Sequence, residues 1–269
     1  MARAAALRQA VRDHATLWRL RAAARHFRGA TALELGGPST IFDPRGAMPV
    51  YPVIARLDII DFAADTLWSS SQSGANLPRG DRSVGEARWL RDVADESYDV
   101  VLASHVIEHV ANPLGALREW RRVTRRDGTV VLVVPHREGT FDHRRPVTSI
   151  EHMREDEARD TEEDDVTHLE EVIALHDLSR DAGAGDAATF AERCRNNGQI
   201  RGMHHHVFDT RSVAAMCQAA ELEVELLRAL LPFHIIAVCR VGPAAHRRVA
   251  VRRAVLTSPF LSDRQAGLA

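Results

Sequence analysis

Hydrophobic positions in this chain come in two rhythms, and their alternation predicts a sheet covered by helices. Short, nearly continuous apolar runs mark strands buried on both faces. These are "TALEL" before a glycine pair, "PVIARLDII", "YDVVLAS" at 98–104 and "TVVLVVP" after Asp127-Gly128. Helical stretches separate or follow them. Residues 4–27 place apolar Leu7, Val11 and Trp18 at helical spacing between arginines, and Gly29 closes the stretch. Further helices are expected around 113–124 and, as "TRSVAAMCQAAEL", over 210–222. "EVELLRALLPFHIIAVCRV" offers two closing strands interrupted by Pro232, an antiparallel pair. The Ser/Gly/Asn/Pro content from Trp68 to Asp81 reads as a surface loop. Strands of this kind alternating with helices make the chain an α/β protein with a doubly wound, mainly parallel sheet.

Between His136 and Met203 the rhythm breaks. This stretch is polar and rich in histidine, with "REDEARDTEEDDVTHLEE" at its centre. It reads as an insertion between a sheet strand and the next core helix. The expected organisation is an N-terminal helix (1–29), a core (30–136 and 207–242), an inserted helical cap on the acceptor side (137–206) and a C-terminal tail (243–269).

Composition narrows the class. The chain has 269 residues, 45% of them hydrophobic and 27% charged, enough to bury a core without staples. A net charge of −2 gives no general pull toward nucleic acid or an anionic membrane. No lysine occurs, so every fixed cation is arginine. Cys194, Cys217 and Cys239 are odd in number and far apart, which predicts free thiols in a reducing cytoplasm. No stretch is apolar for long enough to cross a bilayer.

Candidate chemistry starts at "LELGGPS", where Glu34 ends a strand and Gly36-Gly37 form the turn, a place where backbone N–H groups can approach a ligand. Asp58 lies where a carboxylate can accept both hydroxyls of a ribose, with Asp61 as its competitor. "VGEARWL", "DESYDVVLASHVIEHV" and "LREWRRVTRRDGTVVLVVP" follow in order. This succession resembles the class I S-adenosylmethionine-dependent methyltransferases over residues 30–136, and by element order over 207–242. The resemblance implies a seven-stranded Rossmann-like sheet and S-adenosylmethionine as cofactor. It further implies that Glu34, Gly36, Gly37, Pro38 and Ser39 face the methionine part and that Asp58 holds the ribose with Ile59 beside the adenine. Glu86 and Ala87 would then meet the adenine edge, and Ser104 and His105 the far side of the cofactor. Pro38 and Thr40 depart from the usual glycines and stiffen the turn. Glu108-His109 is widespread in this group and reads as shaping the loop.

His105 follows the end of a strand, where open α/β sheets build their sites, and could take a proton from an acceptor hydroxyl. "HHHVFDT" stands where the insertion rejoins the core. In an extended stretch His204 and His206 share one face and His205 points away. His105, His204 and His206 are therefore the candidate catalytic residues. A metal held by His204 and His206 with His168, His152 or a carboxylate of 162–165 is the weaker reading, because no familiar ligand spacing occurs. Arg144 and Arg145 could clamp the acceptor or, more in keeping with the sequence, pair with the acidic run 155–165. The expected reaction is methyl transfer to oxygen, less readily nitrogen, of a small metabolite or sugar, which suits natural-product or glycan modification. The alternatives are a metal-assisted O-methyltransferase and a non-catalytic cofactor-binding subunit. The expected partner is a small acceptor rather than nucleic acid or membrane, with room for a homodimer.

Overall fold

A computed structural model of the chain describes residues 2–66, 76–242 and 248–266, with side chains from residue 13 of the first helix onward. Most of the loop expected over 68–81, the Leu7 and Val11 side chains and the start of the tail lie outside the described residues. Seven strands form one sheet: β1 (Thr31–Leu35), β2 (Arg56–Asp61), β3 (Arg82–Val84), β4 (Tyr98–Ser104), β5 (Thr124–Pro135), β6 (Leu222–Leu230) and β7 (His234–Val241). Their order is β3-β2-β1-β4-β5-β7-β6, with β7 antiparallel to both neighbours and the other pairs parallel. The apolar runs are buried because the period of two feeds both faces. Leu33, Leu35, Val101, Ala103, Val130, Leu132 and Val134 enter one core cluster. Ala32, Val100, Leu102, Val131 and Val133 enter the other.

Helices cover both faces. On the first lie α2 (Pro113–Val123), through Leu114, Leu117 and Trp120, and α7 (Thr210–Ala219), through Val213 and Met216. Each starts on a side-chain cap, Asn112 to the Gly115 N–H and Asp209 to the Ser212 N–H. On the second lie α1 (Ala2–Ala24), through Leu20 and Ala24, and the 41–51 segment, through Ile41, Phe42, Met48 and Val50. Trp18 departs from the amphipathic reading of α1: it is 66% exposed. Between β5 and α7 run α3 (Ile150–Arg159), α4 (Leu169–Leu175), α5 (Ala187–Arg195) and α6 (Asn197–Ile200). They carry a small core of their own, Val172, Ala184, Phe190, Cys194 and Met203. The last described elements are α8 (Arg248–Thr257) and α9 (Leu261–Ala266). Cys194, Cys217 and Cys239 are buried free thiols, as expected.

Candidate active site

The carboxyl ends of β1, β2, β4 and β5 open into a cavity of about 910 Å³ that also takes its walls from the 137–206 segment. At the end of β1, Gly36 adopts a left-handed φ of +69°, and its N–H donates to the Ile60 carbonyl at 2.9 Å. Gly36, Pro38 and Ser39 line the cavity. Glu34 and Gly37 do not; they brace the turn from behind. The Ser39 N–H donates to Glu34 Oε1 at 3.1 Å and the Tyr51 hydroxyl to Oε2 at 2.7 Å. A methyl group on Gly37 would come within 2.3 Å of the Glu34 carboxyl carbon. Burial pushes the Glu34 carboxyl up to about 7, against the hydrogen bonds of Tyr51 and Ser39. The expectation that Glu34 faces the cofactor is corrected accordingly.

The ribose carboxylate is corrected too. Asp58 sits mid-strand opposite Leu33, away from the cavity, where it accepts from the Asp81 N–H at 2.8 Å and from the Tyr98 hydroxyl at 3.1 Å. It also pairs with Arg56 at 2.8 Å. Ile59 is buried in the core. Asp61 ends the strand and lines the cavity with Ile60 and Phe62, so of the two carboxylates it is the one that reaches the cavity. Burial raises its carboxyl above the ordinary value, while the Phe62 N–H it accepts at 2.8 Å opposes this. Glu86 and Ala87 line the next wall. The Glu86 carboxylate is taken by Arg201 at 2.8 Å, and the Ala87 carbonyl accepts from the Trp120 indole at 2.7 Å.

Ser104 and His105 meet the cavity at the end of β4. His105 holds a left-handed φ of 56°, which costs a non-glycine residue of order 1–3 kcal/mol. Its Nε2 lies 3.0 Å from His234 Nδ1 and its Nδ1 lies 3.4 Å from Glu108 Oε1. Burial would raise the buried Glu108 carboxyl, but the nearby imidazoles of His105, His109 and His204 hold it below the ordinary range. Glu108 and His109 themselves line the cavity, more than the loop-shaping part read from the sequence.

The three consecutive histidines part company, because the chain around them is irregular rather than a strand. His204 lines the cavity, and its Nδ1 lies 2.5 Å from Asp142 Oδ2. Burial works against charging His204, yet Asp142 raises it above the ordinary value of 6.5. Burial also opposes ionisation of Asp142, but His204 and then Arg145 hold it down to about 2. His205 points to Asn197 at 3.0 Å. His206 is buried outside the cavity, with Nε2 3.1 Å from the Ala111 carbonyl, so it is withdrawn as a catalytic candidate. Arg145 clamps neither an acceptor nor the 155–165 run. It is buried, donates to Asp142 at 3.1 Å, to the His204 carbonyl at 2.9 Å and to Glu171 at 2.8 Å, and so fixes the histidine run. Arg144 pairs with Asp177 at 3.2 Å. Sequence reasoning passed over Asp142 because "FDHRR" carries no periodic signal for where its carboxylate points.

Residues 53–132 match the family model of a methyltransferase domain. An uncharacterized 37.1 kDa protein in a Streptomyces fradiae transposon is 34% identical over 108 residues, which are 40% of this chain and 30% of that protein. The chain thus matches less than a third of that relative. Among solved structures, a methyltransferase from Mesorhizobium loti superposes with a TM-score of 0.48 at 12% identity, over 82% of this chain and 95% of that one. One from Aquifex aeolicus gives 0.46 at 11% identity, over 84% and 89%. The sheet order is Rossmann-like, and the methyltransferase-domain match falls on β2, β3, β4 and most of β5. The cavity has what S-adenosylmethionine would need: a glycine turn, a strand-end carboxylate at Asp61 and room for a ligand of that size.

Proposed function

We propose that the chain transfers a methyl group from S-adenosylmethionine to a hydroxyl of a small metabolite or sugar, with His204 as proton acceptor and Asp142 orienting it. The observation that carries this reading is the His204–Asp142 contact of 2.5 Å at the cavity wall. S-adenosylmethionine supplies a methyl group already activated on a sulfonium. What remains for the protein is alignment and removal of the hydroxyl proton. Asp142 accepts from Nδ1, which leaves Nε2 as the basic nitrogen, and it stabilises the imidazolium once the proton arrives. His105 lies beside Glu108 at the end of β4 and helps seat the acceptor near the cofactor. The 137–206 segment, with Phe141, Arg180 and Arg193 at the cavity, supplies the acceptor-side cap.

A metal-assisted version has its own observation in support. One nitrogen each of His109 and His204 and one oxygen of Glu108 lie within 4.8 Å of one another. An ion there would lower the pKa of the acceptor hydroxyl directly. Labelled S-adenosylmethionine and a panel of hydroxyl-bearing metabolites and sugars separate the readings. With the base reading, kcat/KM rises with pH through an apparent pKa above 6.5, because His204 must be neutral to accept the proton and Asp142 favours its charged form. His204→Ala and Asp142→Asn each lower the rate by about 10²–10⁴-fold, while S-adenosylmethionine binding persists. Full activity in both variants overturns the base, and activity lost on chelation from His152→Ala protein as well as from wild type favours an ion in the cavity.

A further inference from the structure

A second histidine cluster lies outside the cavity, behind the histidine run. His152 and Asp156 are one turn apart on α3 and share a face. His168 caps the start of α4, and His206 comes in from the run. His152 Nε2 stands 2.9 Å from His168 Nε2 and 3.4 Å from Asp156 Oδ2, and His206 Nε2 stands 3.9 Å from the same oxygen. Asp156 Oδ2 and His206 Nδ1 are buried without a hydrogen-bond partner. The His152–His168 pair can satisfy itself by one N–H···N hydrogen bond, but the unpartnered Asp156 Oδ2 and His206 Nδ1 beside it are expensive in a plain protein interior. The arrangement suits a cation. With zinc bonds of about 2.1 Å, tetrahedral ligand atoms stand roughly 3.4 Å apart.

We propose that His152, His168 and His206, one ligand atom of each lying within 4.8 Å of the others, form a site for a divalent cation of the zinc class with the Asp156 carboxylate beside it, and that the ion fastens the 137–206 segment to the sheet. None of these residues lines the cavity, so the ion is structural rather than catalytic. Ligation by His206 Nε2 exchanges its 3.1 Å Ala111 carbonyl contact for a metal bond. The Thr161 hydroxyl, 3.4 Å from Asp156 Oδ1, steadies the carboxylate from outside.

Elemental analysis of untagged protein tests this. About one zinc per chain is expected, and most of it should be lost in His152→Ala and in His168→Ala. Both variants should still bind S-adenosylmethionine by calorimetry, since neither residue lines the cavity. Wild-type protein stripped by chelator should regain its thermal midpoint on addition of equimolar zinc chloride. The site is overturned if stripped wild-type protein takes up no zinc with a Kd below about 1 μM. It is overturned equally if both variants keep full zinc, or if zinc is lost only on His109→Ala, which would assign the ion to the cavity group. Zinc content is read independently of methyl transfer, so it can fail without the proposed reaction failing.

Discussion

Glu34 shows how far the job of one side chain is set by what folds over it. In the sequence it ends a strand and precedes a glycine turn, the place for a ligand-facing carboxylate. In the structure Tyr51 and Ser39 take both its oxygens, and Ser39 also donates to the Tyr51 hydroxyl at 2.6 Å. Tyr51 lies in a segment with neither strand nor helical rhythm, so nothing in the sequence brings the two together. Burial raises the Glu34 carboxyl from 4.5 to about 7, so the folded chain holds a proton there that the unfolded chain releases. Stability is therefore highest below pH 4.5 as far as this group is concerned, falls as pH rises toward 7, and levels off beyond. Thermal midpoints measured from pH 4.5 to 8 should lose that decline in Glu34→Gln. Parallel curves for the two proteins would show that the carboxyl is ordinary.

At the scale of elements, the apolar runs of β1, β4, β5 and β7 were legible because burial on both faces leaves little choice of residue. β2 was legible as a strand but not at its end. Asp58 and Asp61 are three residues apart, so they point to opposite faces, and only pairing decides which one closes the strand. The partner at that point is β3, three exposed residues with Asp61 opposite Val84, and such a strand has no hydrophobic signature. Trp120 joins α2 to the site: the indole is fully buried and its N–H reaches the Ala87 carbonyl on the cavity wall. Trp120→Phe keeps most of the packing but leaves that carbonyl unpaired, at about 1–3 kcal/mol. A lower midpoint together with weaker S-adenosylmethionine binding is expected. Unchanged binding would mean that the wall does not depend on the indole.

At the scale of the whole molecule, one sheet supplies the cofactor end of the cavity and the 137–206 segment supplies the rest. Composition marked that segment as foreign to the sheet's rhythm, and its histidines as unusual. It could not show that His204 turns to the cavity and His206 away, since an irregular backbone has no fixed alternation. Arg145 decides this, holding Asp142, Glu171 and the carbonyls of His204 and His205 from one buried guanidinium. The cofactor end is independent of any acceptor, and there the claim is that Asp61, not Asp58, takes the ribose of S-adenosylmethionine. Titration calorimetry of wild-type, Asp61→Ala and Asp58→Asn protein with S-adenosylmethionine tests it most directly. Wild-type protein should bind, Asp58→Asn should bind nearly as well, and Asp61→Ala should bind about tenfold or more weakly, the loss of a charge-assisted pair of hydrogen bonds. Unweakened binding by Asp61→Ala, or no binding by the wild-type chain, would contradict the assignment.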